Sequence, residues 1–153
     1  AAVEEAVNAE RVASVAPAEL LALDLAAAAP EEALPPQVPF CLELRPERCA
    51  TALAFYLEAQ MGEEGGPGAR KVSMAPTAAC GRQRPRHVVL HLPAPGPPPA
   101  RALRLPAAEF PKLEGHFSAD WGQGGKHLAI SVKLTARREG GSELHSSAAL
   151  CVA

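Results

Sequence analysis

Hydrophobic and polar residues alternate with a period of two over several stretches of this chain. The clearest run covers residues 127–137, and a second run covers residues 51–61. Successive side chains of a strand point to opposite faces, so this pattern predicts strands with one buried and one solvated face. Shorter runs with the same pattern lie at residues 38–45, 87–92, 103–105, 113–120 and 144–152. The side chains predicted to point into the core include Leu53, Phe55, Leu57, Met61, Leu128, Ile130, Val132 and Leu134.

Glycine and proline separate these runs. The breaks lie at residues 35–36, 62–68, 93–99, 122–125 and 140–141. Short, one-sided strands with turn residues between them are typical of antiparallel sheets, and their spacing predicts a β-sandwich or a β-barrel. Residues 19–29 alternate like a strand, although their alanines suit a helix equally, and we expect a strand there.

The first residues differ from the rest. Val3 and Val7 are one helical turn apart. This spacing predicts a short helix at residues 3–13 that ends before Pro17. The predicted fold class is therefore mostly β, an antiparallel β-barrel or sandwich with a short N-terminal helix. A chain of 153 residues fits one core. We expect an N-terminal helical or arm segment at residues 1–18 and a β-barrel domain at residues 19–153.

The charge balance argues against two classes of partner. With 15 basic and 17 acidic residues the net charge is -2, which gives no electrostatic reason to expect nucleic acid or an anionic membrane surface. No apolar run is long enough to cross a bilayer, so we expect no membrane insertion. Irregular cysteine spacing predicts buried, reduced thiols rather than a disulfide framework, which favours an intracellular protein of unknown compartment. The four cysteines are Cys41, Cys49, Cys80 and Cys151.

Few residues suggest chemistry. His87 and His91 have the spacing of a metal-ligand pair on a helix, but on a strand they stand about 13 Å apart at roughly 3.3 Å per residue, too far for one ion. We interpret both as solvent-facing. The thiol of Cys80, beside several arginines, is either an activated thiolate or an unreactive exposed thiol, and the second alternative is favoured. We therefore predict no catalytic residue, no metal site and no cofactor.

A resemblance to a known family extends these patterns. Residues 37–44 read Gln-Val-Pro-Phe-Cys-Leu-Glu-Leu, and residues 52–57 read Ala-Leu-Ala-Phe-Tyr-Leu. Together they resemble the C-terminal β-barrel domain of protein arginine methyltransferases, in which a Ser-Pro-Phe-Cys-Leu-type strand leads into an alternating strand. Further segments resemble the family in the same order, at residues 20–25, 72–76, 87–92, 113–116 and 127–134.

The departures from this family concern its catalytic parts. In these enzymes the methyl-donor site and the paired glutamates belong to an N-terminal Rossmann-type domain, and nothing in this sequence resembles it. The barrel of the family also contributes a Thr-His-Trp loop to the active site. That loop is expected near residues 80–84, which read Cys-Gly-Arg-Gln-Arg. The resemblance therefore implies a barrel without its catalytic contribution.

We expect a non-catalytic, arginine-methyltransferase-barrel-like scaffold or subunit of a larger protein assembly. The alternative is the barrel, on the dimerisation and substrate side, of an S-adenosylmethionine-dependent protein arginine N-methyltransferase whose catalytic domain lies on another chain or beyond these residues. Either hypothesis implies a protein partner, in a hetero- or homo-oligomer.

The predicted interface combines the N-terminal segment with a local basic patch. A helix at residues 3–13 that lies outside the barrel leaves apolar side chains exposed, which favours an interface. The competing possibility is that this segment folds back and covers an open end of its own barrel. The predicted interface residues are Val3, Val7, Val12, Leu20, Leu21, Arg82, Arg84 and Arg86.

Overall fold

The computed structural model describes residues 2–22, 37–62, 66–76, 87–95, 102–121, 128–138 and 140–152. Within these ranges the chain forms eleven strands and one 3-10 turn at Ala9–Arg11. The strands are β1 (Ala2–Glu5), β2 (Val38–Glu43), β3 (Cys49–Ala50), β4 (Ala52–Phe55), β5 (Glu58–Met61), β6 (Arg70–Ser73), β7 (His87–His91), β8 (Leu105–Pro106), β9 (Lys112–Trp121), β10 (Leu128–Arg137) and β11 (Glu143–Val152).

The strands assemble into antiparallel sheets, which confirms the mostly-β prediction. The largest sheet has four strands in the order β11-β10-β9-β2, and a three-stranded sheet has the order β1-β7-β4. Two further pairs are β3 with β8 and β5 with β6. A closed barrel requires the last strand of a sheet to pair with the first. No such pairing occurs between the strands in the described ranges.

The predicted N-terminal helix is wrong. Ala2–Glu5 is strand β1, whose backbone hydrogen-bonds to the neighbouring strand β7. Asn8 then caps the 3-10 turn, because its side-chain oxygen accepts a hydrogen bond from the Glu10 N–H at 3.0 Å. Val12 returns to extended backbone directly after that turn. A lone helix shorter than about 12 residues is marginal in water, so pairing with β7 outweighs the helical spacing of Val3 and Val7.

The chain divides into two compact units. One unit contains Ala13–Ala52 and Leu90–Ala153, and the other contains Ala2–Val12 and Leu53–Val89. The predicted boundary between residues 18 and 19 is not tested by this division and stays a prediction. We call these units the large and the small unit.

The four-stranded sheet of the large unit buries one of its faces. Val132, Leu134 and Ala136 of β10 are buried, whereas Lys133 and Arg137 between and after them are exposed. The predicted alternation is therefore confirmed at Val132 and Leu134, Ile130 is half-buried, and the side chain of Leu128 lies outside the described part. Neighbouring strands supply the same core face with Leu113, Phe117 and Ala119 of β9, and the edge strands β2 and β11 contribute half-buried side chains.

The predicted burial of the cysteine thiols is wrong for two of them. Cys41 of β2 and Cys151 of β11 are exposed, and Cys49 is half-buried. Cys41 lies opposite Glu114, and Cys151 lies opposite Ala129, on the outer face of the four-stranded sheet. Alternation assigns both cysteines to this face, because their neighbours Leu42 and Leu150 point toward the core. All three described cysteines are free thiols.

Gly115 gives the core of the large unit room for an aromatic ring. Phe40 of β2 lies directly opposite Gly115 in the sheet register. A β-carbon on Gly115 would lie 2.5 Å from Cζ of Phe40 and 2.6 Å from the carbonyl oxygen of Lys133. Real β-carbons do not approach other atoms this closely, so the ring occupies the space that any other residue at position 115 would need.

The second predicted core strand, residues 51–61, is wrong as one element. It forms β4 and β5, which belong to different sheets and are separated by Tyr56 and Leu57. Leu53 and Phe55 are half-buried, as expected for a core-facing side. The side chain of Leu57, however, is 74% exposed and that of Met61 is 53% exposed. The chain leaves the three-stranded sheet after β4, so the apolar alternation continues onto a surface instead of into a core.

We predict that Gly115→Ala destabilises the protein by about 1–3 kcal/mol, because the added methyl group overpacks the core against Phe40 and the β10 backbone. His116→Ala is the control, since His116 is exposed on the opposite face, and it is expected to change stability by less than about 0.5 kcal/mol. Urea denaturation of the two variants measures both values. Equal stabilities would show that the ring does not depend on this space.

Candidate interaction surface

The small unit contains a two-stranded ribbon formed by β5 and β6. Its register pairs Glu58 with Ser73 and Met61 with Arg70. The N–H of Met74 donates a hydrogen bond to the Leu57 carbonyl at 2.9 Å, which continues the ladder by one pair beyond the strands. At the other end Gly62 has a φ of 83°, a left-handed conformation that favours glycine and lets the chain leave β5. We call residues 57–61 and 70–74 the β5–β6 ribbon.

One face of the ribbon is polar and internally neutralised. Because side chains alternate, Glu58, Gln60, Lys71 and Ser73 share this face. The Lys71 ammonium lies 2.9 Å from Glu58 Oε2, and the Ser73 hydroxyl donates to Glu58 Oε1 at 2.6 Å. The hydrogen bond from Ser73, together with the one from Lys71, holds the pKa of Glu58 below the ordinary value. The charges on this face are therefore satisfied within the ribbon.

The other face is apolar and exposed. We define the apolar face as Leu57, Ala59, Met61, Val72 and Met74. Leu57 is 74% exposed, Val72 is 52% exposed and Met74 is 39% exposed. Of the six large hydrophobic side chains that are exposed in the described ranges, four lie on this face. Single exposed hydrophobic residues are ordinary, but a contiguous group on a regular strand pair is typical of an interaction surface.

One cation borders the apolar face. Arg70 lies opposite Met61 in the register, so its side chain projects to the same face. It is exposed, and no carboxylate of the described residues pairs with it. Lys71, the next residue, projects to the opposite face and pairs with Glu58. The apolar face thus carries a positive charge that the described part of the chain leaves uncompensated.

His87 anchors the end of the ribbon. Its side chain is only 1% exposed, so the predicted solvent-facing orientation is wrong. Nδ1 lies 3.2 Å from the Val7 nitrogen and accepts its N–H, while Nε2 lies 2.8 Å from the Met74 carbonyl oxygen, an acceptor. These two partners require the proton to be on Nε2 and Nδ1 to be free of a proton. The Tyr56 ring meets the imidazole edge-on, with centroids 6.5 Å apart.

These contacts make His87 a structural residue. Both ring nitrogens bond to backbone groups of the same unit, so neither is available to a metal ion or a substrate proton. Through Val7 and Met74, the imidazole joins the segment after β1 to the segment after β6. His91 is half-buried. In the described ranges no group of three or more His, Cys, Asp or Glu side chains is placed to hold a metal ion.

The predicted interface residues that the structure describes lie elsewhere than on the apolar face. Val3 belongs to β1, and Val7 and Val12 are half-buried in the small unit. In the large unit Leu20 is half-buried and Leu21 is 37% exposed. Arg82, Arg84 and Arg86 lie outside the described residues, as does Cys80. The interface role of these residues stays a prediction.

The backbone of the N-terminal segment completes sheets of its own chain. Besides the pairing of β1 with β7, Ser14 bridges to Leu44, and the Val15 N–H donates to the Glu43 carbonyl at 2.8 Å. These bonds favour the possibility that the segment serves its own fold. The apolar face had one sequence signal, the alternation of Leu57, Ala59 and Met61, which we interpreted as a core strand.

A second group of charged residues lies at one end of the four-stranded sheet. Arg137 pairs with Glu143 at 3.0 Å and with Glu114 at 3.8 Å, and Lys112 pairs with Glu43 at 3.5 Å. Two cations here contact three carboxylates. Exposed pairs of this kind contribute about 0–1 kcal/mol each. This end of the sheet is a solvated surface.

Comparison of the chain with protein-family models, with curated protein sequences and with solved structures finds no significant match. Within the described ranges no helix is long and apolar enough to cross a membrane.

We predict that His87→Leu destabilises the small unit, because it leaves the Val7 N–H and the Met74 carbonyl without partners, at about 1–3 kcal/mol for each group that stays buried. His91→Leu is the control and is expected to cost less than about 1 kcal/mol. Amide hydrogen exchange provides a local measurement: exchange at Val7 is expected to accelerate in the His87 variant only. Unchanged protection of Val7 would contradict the assigned bond.

We predict that NMR titration finds the pKa of Glu58 below the ordinary glutamate value of 4.5, and that Ser73→Ala raises it toward that value. A pKa lowered by folding means that the bonds to Ser73 and Lys71 stabilise the ribbon above the unfolded pKa and are lost as the pH falls through the folded pKa. Ser118→Ala, in the large unit, is the control. An unshifted Glu58 in the parent protein would show that the ribbon bonds do not persist in solution.

Proposed function

We propose that this chain is a non-catalytic, protein-binding scaffold or subunit of a larger assembly, and that its apolar face contacts a partner protein. The observation that carries the proposal is the apolar face itself, with Leu57, Met61 and Val72 each more than half exposed. Burying such side chains in an interface contributes about 1.5–3 kcal/mol for each one that becomes fully covered. An exposed group of this kind is otherwise an aggregation liability.

The role of His87 also supports a non-catalytic function. A buried histidine is the side chain most often used for proton transfer near neutral pH. Here both ring nitrogens bond to backbone groups, at 3.2 Å and 2.8 Å, and hold two segments of the small unit together. The imidazole therefore positions the ribbon.

The resemblance to the methyltransferase barrel supports the same class of function. The family-like stretches at residues 37–44, 52–57, 72–76, 87–92, 113–116 and 127–134 contain or overlap strands, whereas residues 20–22 form none and residues 23–25 lie outside the described ranges. We propose that these strands form a barrel-like assembly, as they do in that family. The same resemblance favours the second candidate, the barrel portion of an arginine methyltransferase whose catalytic domain lies on another chain or beyond these residues.

Site-specific photocrosslinking tests the proposal. A p-benzoylphenylalanine is placed at Val72, on the apolar face, or at Gln60, on the polar face of the same ribbon. The full chain is expressed in the cells that naturally produce it and irradiated. We expect a discrete adduct with one other protein from position 72 and none from position 60, because only the apolar face is in contact. Absence of any adduct from position 72, with Val72→Ser leaving the native mass of the chain's complexes unchanged, would refute the proposed interaction.

The identity of the adduct separates the two candidate functions. A partner with a Rossmann-type methyltransferase domain favours the second candidate, and any other protein favours a scaffold or subunit. Calorimetry on the purified chain is expected to show no binding of S-adenosylmethionine, since the resemblance assigns the donor site to a domain that this sequence does not resemble. Micromolar binding of the donor would contradict a non-catalytic role for the chain alone.

A further inference from the structure

We infer that the apolar face receives a short amphipathic helix of a partner protein, and that this helix carries an acidic residue that contacts Arg70. The inference rests on the proposed function and specifies the chemistry of the partner at the same surface.

The shape of the surface favours a helix over an added strand. A partner strand joins a ribbon at its edge through backbone hydrogen bonds, whereas the feature that stands out here is a face of side chains. From the Leu57–Met74 pair to the Met61–Arg70 pair the face spans five residue pairs, whose four intervals cover about 13 Å at roughly 3.3 Å per residue. Two or three helical turns, at about 5.4 Å each, span that length.

The residue types of the face suit a helix as well. Met61 and Met74 lie at opposite ends of the face and on different strands. Methionine is unbranched and flexible, so it adapts to the ridges of a helix more readily than a β-branched residue does. Ala59 and Val72 pair in the register between the two methionines, and their side chains are shorter than those of Met61 and Met74. A row of apolar side chains at helical spacing fits along this line.

Arg70 sets the charge of the partner. Its guanidinium stands at the Met61 end of the face without a carboxylate partner among the described residues, while the neighbouring Lys71 is paired with Glu58 on the other face. A helix that covers Met61 brings its own terminal turn next to this cation. An Asp or Glu in that turn gains a charge-assisted hydrogen bond, and a Lys or Arg there is repelled. The partner helix is therefore apolar on one stripe and acidic at the Arg70 end.

A displayed library of short helical peptides, with apolar, acidic, basic and neutral choices at each position, tests this inference. Four forms of the full chain serve as bait: the parent protein, Arg70→Glu, Gln60→Glu and Val72→Ser. Gln60→Glu is the matched control, because it adds a negative charge to the polar face of the same ribbon. The three substituted positions are exposed, and circular dichroism checks that each bait is folded.

We expect the parent and the Gln60 variant to select peptides with an apolar stripe and an acidic residue at one end. The Arg70 variant is expected to select a basic residue at the same place, and the Val72 variant to select no common sequence. A peptide chosen by the parent should bind the Arg70 variant about five- to ten-fold more weakly, the loss of an exposed ion pair plus the added repulsion.

Three outcomes would overturn the inference. Selected peptides whose charge does not depend on residue 70 would remove the role of Arg70. Equal selection by the parent and the Val72 variant would remove the apolar face. A dimer of the parent chain in sedimentation, abolished by Val72→Ser, would make a second copy the occupant instead of a partner helix. If the peptide charge does not depend on residue 70 but crosslinking at position 72 still gives a specific adduct, the helix inference fails and the proposed function stands. The failure of the inference is therefore distinguishable from the failure of the proposed function.

Discussion

The constraint on which the described structure depends is the alternation of side chains along each strand, because it gives every sheet two chemically distinct faces. In the large unit one of these faces is buried, with Val132 and Leu134 inside and Lys133 outside. In the β5–β6 ribbon the alternation separates a polar face, whose charges pair with one another, from an apolar face that solvent reaches. The same pattern thus ends in burial in one unit and in exposure in the other.

His87 explains why the ribbon keeps its position although it buries little of its own surface. All residues of β5 and β6 are exposed, so packing contributes little to holding them. The hydrogen bond from Nε2 to the Met74 carbonyl and the one that Nδ1 accepts from Val7 are partly buried, and the imidazole itself is buried, so losing these bonds is costly. An attachment at one end would present the apolar face to the proposed partner in a defined orientation, which lowers the entropic cost of binding.

The ribbon places charged side chains beside its exposed apolar side chains. The polar face places Glu58, Lys71 and Ser73 in mutual contact, and Arg70 borders the apolar face. Charges at the rim of an apolar surface oppose random association and favour partners of opposite charge. Because Glu58 loses its bonds on protonation, the ribbon is expected to weaken in acid while the sheet of the large unit, held by apolar packing, does not depend on that group.

The sequence by itself determined the local structure of most elements and little of the surface. Alternation correctly predicted β10, the burial of Val132 and Leu134, and the mostly-β class, because it depends only on neighbouring residues. It failed at residues 3–13, where pairing with β7 outweighed helical spacing, and at Leu57 and His87, whose exposures are the reverse of those predicted. In both cases the contacts involve residues far away in the chain: the buried His87 hydrogen-bonds to Val7 and Met74, and β5 pairs with β6 in a sheet separate from that of β4. The amino-acid sequence determines which residues alternate. Whether an apolar face is covered depends on the tertiary structure, because the residues that would cover it are distant in the sequence.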